Sequence, residues 1–144
     1  MNREHIRADV VETARRFGYR NSQEGKRLER IVTRAELPEA VHGLLAVFTE
    51  PTGSSSVPNE QELAGRLLAV LPALPAESVP LDAVLRAALP HYDRSVEQFP
   101  CYLARVHGDS QVIERLDALL QEHLTDGRRA AAETMAWWLR RRVR

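Results

Sequence analysis

LAGRLLAVLP at positions 63–72 and LDAVLRAALP at positions 81–90 are two ten-residue segments with one shared pattern. Each has leucine at its first, fifth and ninth positions and ends in proline. Leucines spaced four residues apart lie on one face of an α-helix, and a proline cannot continue the helix that precedes it. The two segments therefore predict short helices, each with one apolar face and a defined end.

Helical periodicity extends over the rest of the chain, and no segment shows the alternation that is typical of a strand. Apolar residues recur at spacings of three or four, which predicts that these residues face a core: Ile6, Val10, Ala14, Phe17, Leu28, Ile31, Val32, Val41, Leu44, Leu45, Phe48, Leu63, Leu67, Val70, Leu71, Leu81, Val84, Leu85, Ala88, Leu89, Val112, Ile113, Leu116, Leu119, Leu120, Ala131, Met135, Trp138 and Leu139. We predict an all-α fold of seven to eight short helices. The repeated leucine-proline pattern is consistent with an irregular antiparallel bundle and with a short HEAT-like helical stack. Chance similarity between leucine-rich helices also explains it.

The segment EPTGSSSVP at positions 50–58 is the only stretch of low complexity. Its two prolines and its Gly/Ser centre predict a flexible loop. The loop would separate an N-terminal three-helix part from a C-terminal part of four to five helices. Since about 50 residues alone bury too little apolar surface, we predict a single domain over residues 1–144.

Several helix ends are predicted from glycine, proline and capping residues. Gly18 and Gly108 are expected to end helices, and Asn59 and Asp109 are expected to cap the helices that follow them. Because Pro100 interrupts a capping pattern at positions 95–98, we expect the next helix to run from about position 99 to position 107.

The formal net charge is zero, but the charges are unevenly distributed. Residues 1–36 carry a net charge of +3, residues 37–126 carry −8 and residues 127–144 carry +5. The basic residues form one group near each end: Arg15, Arg16, Arg20, Lys26, Arg27, Arg30 and Arg34, then Arg140, Arg141, Arg142 and Arg144. Nucleic-acid binding is one hypothesis, because clustered arginines neutralise phosphates. The acidic centre would repel a polyanion, so this hypothesis ranks second.

The sequence contains only incomplete versions of the residue patterns that are typical of catalytic sites and metal sites. Glu39 and His42 have the Glu-x-x-His spacing of di-iron bundles, but no second copy of the motif occurs. Cys101 stands near a predicted helix start, where a thiol pKa can be lowered, yet its apolar neighbours favour a packing role. The sequence has no phosphate-binding glycine loop and no zinc-binding spacing. We therefore predict no catalytic residue, metal or cofactor; an enzyme with an unrecognised site is the third hypothesis.

The adjacent residues Trp137 and Trp138 point about 100° apart on a helix, so both rings cannot enter the same core seam. If Trp138 faces inward, Trp137 lies near an edge beside Arg140 and Arg141. Tryptophan and arginine are enriched among residues that dominate binding energies. We predict that Trp137, Arg140 and Arg141 bind another protein or a second copy of this chain, with the acidic centre as another contact region.

The single cysteine and the polar N-terminus, which lacks a signal-peptide pattern, predict a cytoplasmic location. The most apolar stretch, at positions 67–74, is short and contains a proline, so we expect no membrane span. Taken together, these patterns predict a small, non-enzymatic helical interaction module. Adaptors, regulators and toxin-neutralising proteins are examples of that class by analogy of size and fold alone.

Overall fold

The computed structural model describes residues 1–53 and 55–143. The described residues form helices and their connections without a β-strand, which confirms the all-α prediction. The eight α-helices of the described part are α1 (Arg3–Phe17), α2 (Ser22–Arg34), α3 (Leu37–Thr49), α4 (Val57–Ala69), α5 (Leu81–Ala88), α6 (Gln98–His107), α7 (Asp109–Leu120) and α8 (Asp126–Val143). A short 3₁₀ turn, Ala76–Ser78, precedes α5.

The helices pack in two groups that α4 joins. The most extensive helix contacts are those of α1 with α3 and of α7 with α8. The helix α4 packs against α1 and α3 on one side and against α6 on the other. The first segment with the repeated leucine pattern begins within α4, the second begins at the first residue of α5, and each extends beyond the end of its helix. The helix α5 packs mainly against α3 and α7 rather than against α4. The repeated pattern therefore does not correspond to a pair of stacked helices.

One hydrophobic cluster contains buried side chains from all eight helices. Phe48 of α3 and Phe99 of α6 are fully buried, and their rings stack with centroids 4.4 Å apart. This contact joins the three helices before residue 50 to the helices that follow the loop.

The predicted inner positions of Phe17 and Val70 are wrong, since these side chains are 44% and 47% exposed. Val70 follows the last residue of α4, where the helical periodicity ends. Phe17 lies on the same side of α1 as Val10, but it is the last residue of the helix and stands beyond Ala14, the last buried position. The guanidinium of Arg16 lies over the Phe17 ring, 5.4 Å from its centroid. The periodic pattern therefore extends past the point where α1 is covered by its neighbours.

Gly18 and Gly108 end α1 and α6 as predicted, with φ angles of 71° and 93°. Both cap predictions are wrong. The helix α4 begins at Val57, so Asn59 lies inside its first turn, because the proline before it is well suited to a helix start. Asp109 is the first residue of α7. The N-cap of α7 is Gly108, which is also the C-cap of α6, so no residue separates the two helices except this glycine.

These boundaries also alter two predicted segments. The connection between α3 and α4 covers residues 50–56 instead of 50–58, and Ser54 lies outside the described residues. Pro100 lies in the first turn of α6, which begins one residue earlier than predicted. The flexibility of the loop stays a prediction.

Helices α1 and α3 approach closely at Gly43. A Cβ atom at this position would lie 2.8 Å from the carbonyl oxygen of Arg3 and 3.0 Å from the Cβ atom of Ile6. One turn earlier in α3, the Glu39 carboxylate accepts a hydrogen bond of 2.8 Å from the backbone N–H of Arg3. The start of α3 therefore provides a cap for the first residue of α1.

Candidate functional site

The helix α8 has a buried side and a solvent side. Its buried side consists of Ala131, Ala132, Met135, Ala136 and Leu139. Trp137 lies about 160° around the helix from both Met135 and Leu139, at about 100° per residue. Its side chain is 50% exposed and is the largest of the exposed apolar side chains in the described part of the chain. Trp137 therefore points away from the core.

Trp138 supports the Trp137 ring from the side. The Trp138 side chain is half-buried, and its Nε1–H donates a hydrogen bond of 3.1 Å to the carbonyl oxygen of Arg94. The two indole rings meet edge to face, with centroids 4.8 Å apart and an interplanar angle of 61°. The fixed position of Trp138 therefore restricts the rotation of the exposed ring.

Arg141 and Glu133 lie on the same stripe of α8 as Trp137, four residues after it and four residues before it. The Arg141 guanidinium lies over the Trp137 ring, 4.9 Å from its centroid, at the distance of a cation–π contact. We call these three residues (Glu133, Trp137 and Arg141) the outer face of α8. Together with Arg140, they line a shallow depression of about 280 Å³. The outer face thus combines an apolar centre with one charge of each sign.

Arg140 has a different role from its neighbour Arg141. Its Nη2 atom lies 2.6 and 2.8 Å from the two carboxylate oxygens of Asp117, which belongs to α7. Of the three residues that the sequence predicts for partner binding, Trp137 and Arg141 share a contact, whereas Arg140 forms an exposed ion pair with α7. The prediction missed Glu133, although its spacing from Trp137 was visible in the sequence.

The two groups of basic residues lie on helices that are not main packing neighbours. The helix α8 packs mainly against α6 and α7, whereas α1 and α2, which carry most of the first group, pack against each other and against α3 and α4. Three of the arginines are neutralised by ion pairs: Arg15 with Glu12, Arg27 with Asp9, and Arg140 with Asp117. Arg144 lies outside the described residues. The charge that could contact phosphates is therefore smaller than the number of arginines suggests.

Cys101 lines a depression of about 350 Å³ between α4, α6 and the end of α8. Burial raises the pKa of its thiol, and the nearby Arg142 only partly offsets that effect. A thiol with a raised pKa supplies little thiolate at neutral pH. The environment of Cys101 therefore favours a packing role over nucleophilic catalysis.

A cavity of about 430 Å³ lies beside α1 and α3 and contains His42 in its wall. Burial is the main cause of the lowered pKa of His42, and the charge of Arg3 adds to it. The Glu39 carboxylate binds Arg3, so it is not available to hold a metal ion together with His42. The lining contains two arginines and two glutamates, so no single sign of charge dominates it.

Among the residues that the structure describes, no group of three or more His, Cys, Asp or Glu side chains is arranged to hold a metal ion. Comparison with known protein-family models, curated proteins and solved structures gives no significant match. Within residues 1–53 and 55–143, no helix is both long enough and apolar enough to cross a membrane.

Proposed function

We propose that this chain is a cytoplasmic, non-enzymatic protein–protein interaction module that binds its partner through the outer face of α8. The exposed position of Trp137 opposite the buried side of the helix carries this proposal. In the free chain, half of this large side chain remains in contact with water. Covering it at an interface would remove that apolar area from water, which is the main favourable contribution to most protein associations.

The neighbours of Trp137 support the same function. Trp138 packs against one side of the ring, and the Arg141 guanidinium lies over it. A side chain that is already held in place loses less conformational entropy on binding than a mobile one. Tryptophan beside arginine is also the composition found where a few residues dominate the affinity of an interface.

A matched pair of variants tests this proposal. Trp137→Ala in the tagged chain is expected to raise the dissociation constant for the bound protein at least about 30-fold and so to lower its recovery, because truncation of a dominant interface residue costs about 2 kcal/mol or more. Phe17→Ala is the control, since Phe17 is also about half exposed and also has an arginine over its ring. The measurement is quantitative recovery from cells of the organism that encodes the chain, with folding checked by circular dichroism.

Capture of a protein by the wild type with equal recovery by Trp137→Ala would contradict the proposal, and so would equal losses of that protein in Trp137→Ala and Phe17→Ala. Recovery of nucleic acid instead of protein, with a steep decrease as salt is raised, would favour the second hypothesis. That result should then depend on Arg141 and Arg142 and be insensitive to Trp137→Ala.

A further inference from the structure

We infer that the partner of the outer face of α8 is a second copy of this chain, with the two α8 helices antiparallel around a twofold axis near Trp137. This inference rests on the proposed function and specifies its partner. The observation behind it is that the outer face is complementary to itself. It has a carboxylate on one side of Trp137 and a guanidinium on the other, each four residues away.

In an antiparallel pair centred on position 137, a residue that precedes Trp137 by a given number of positions lies opposite the residue of the other copy that follows Trp137 by the same number. Glu133 then faces Arg141 of the other copy, and the twofold axis generates the same contact a second time. The charges lie about 6 Å along the axis on either side of the central tryptophans, at about 1.5 Å per residue. A parallel arrangement would place glutamate opposite glutamate and arginine opposite arginine, which is unfavourable.

Both charged groups are available for this contact. Glu133 is exposed and has no ion pair with any described residue. The Arg141 guanidinium lies over the Trp137 ring, 4.9 Å from its centroid, and Arg141 has no ion pair with a described residue. A guanidinium in a cation–π contact can still donate its N–H groups to a carboxylate. Arg140, by contrast, already binds Asp117 within the same copy.

The expected association is reversible and of moderate strength. The helix α8 has 18 residues, so its length is about 27 Å at about 1.5 Å per residue. One helix face of that length covers less than the roughly 800 Å² per partner of a standard stable interface. We therefore expect a dissociation constant of roughly 10–100 µM for the dimer.

Charge reversal tests the pairing. Sedimentation velocity of the full chain between about 5 and 500 µM should show a shift of the wild type from monomer to dimer. Glu133→Arg and Arg141→Glu each place like charges opposite each other at two positions, so each should raise the dissociation constant at least about tenfold. The variant with both reversals restores opposite charges and should return to within about threefold of the wild type. Glu29→Arg, an exposed reversal on α2, is the control and should leave the dissociation constant unchanged.

Three results would overturn the inference: a wild type that is monomeric over the whole range, a dimer that ignores both single reversals, or a double reversal that remains as weak as the single ones. A monomeric chain whose capture of another protein depends on Trp137 would overturn this inference and leave the proposed function intact. A Trp137→Ala variant that dimerises like the wild type and also captures the same proteins would contradict both.

Discussion

Replacing Phe48 with alanine is expected to lower the free energy of unfolding by about 3–5 kcal/mol. The Phe48 side chain is fully buried, and its ring stacks on Phe99 with centroids 4.4 Å apart. Truncation removes the buried ring and leaves a cavity between α3 and α6, where the neighbouring side chains can relax only in part. Since small domains are stable by about 5–15 kcal/mol, this is a large fraction of the total. Urea unfolding measures the change as a lower midpoint with an unchanged slope.

The same variant tests whether α1, α2 and α3 unfold together with the helices after the loop. If they form one cooperative unit, Phe48→Ala should accelerate the hydrogen exchange of protected amides in α1 and in α8 to the same extent. Phe17→Ala is the control and should change the stability by less than about 0.5 kcal/mol, because this side chain is exposed. Faster exchange confined to the first three helices would contradict the single-domain prediction.

Gln61→Glu is expected to destabilise the protein by about 2–4 kcal/mol at pH 7 and to lose most of that effect near pH 4. The Gln61 side chain is completely buried in α4. Its Nε2–H donates a hydrogen bond of 2.7 Å to the carbonyl oxygen of His91, and its Oε1 accepts one of 2.7 Å from the backbone N–H of Asp93. An ionised carboxylate cannot donate to the His91 carbonyl and would place a charge in the core.

The pH dependence follows from protonation of the introduced carboxyl group. Burial raises its pKa in the folded state above the value of about 4.3 in the unfolded state. The loss of stability is therefore largest at pH values above the folded pKa. It decreases as the pH falls below the folded pKa and disappears as the pH approaches the unfolded pKa. The protonated group has an O–H that can donate to His91 in place of the amide.

Stability at each pH should be compared with the wild type at the same pH, because other carboxylates also titrate. Gln111→Glu on α7 is the control, since this glutamine is exposed and the new charge would remain in water. A difference from the wild type that stays constant between pH 7 and pH 4 would contradict the role assigned to the Gln61 hydrogen bonds.

The helical class and the approximate helix positions could be predicted because they depend on local periodicity. The leucines at positions 63, 67, 81 and 85 are close enough in sequence to define apolar faces, and these segments are helical. The exposure of Phe17 could not be predicted, since it depends on where the neighbours of α1 end. The packing of α5 against α3 and α7 likewise depends on contacts between residues far apart in sequence.

The candidate site was predictable in part for the same reason. The outward direction of Trp137 follows from the angle between adjacent residues of one helix. The engagement of Arg140 does not, because Asp117 precedes it by 23 residues on another helix. The position of Glu133 on the same side of α8 as Trp137 could also be predicted from its spacing of four residues, but the absence of an ion pair with a described residue could not.

The fluorescence of Trp137 tests most directly the claim that the outer face of α8 binds a second copy of this chain. The chain has two tryptophans, so Trp138→Phe leaves Trp137 as the only one, and circular dichroism can verify that this variant folds. As its concentration rises through the dimerisation range, we predict an emission shift to shorter wavelength and weaker quenching by acrylamide. When Arg141→Glu is added, both changes should require at least about tenfold higher protein concentration. Emission and quenching that stay constant from the lowest to the highest concentration would contradict the account.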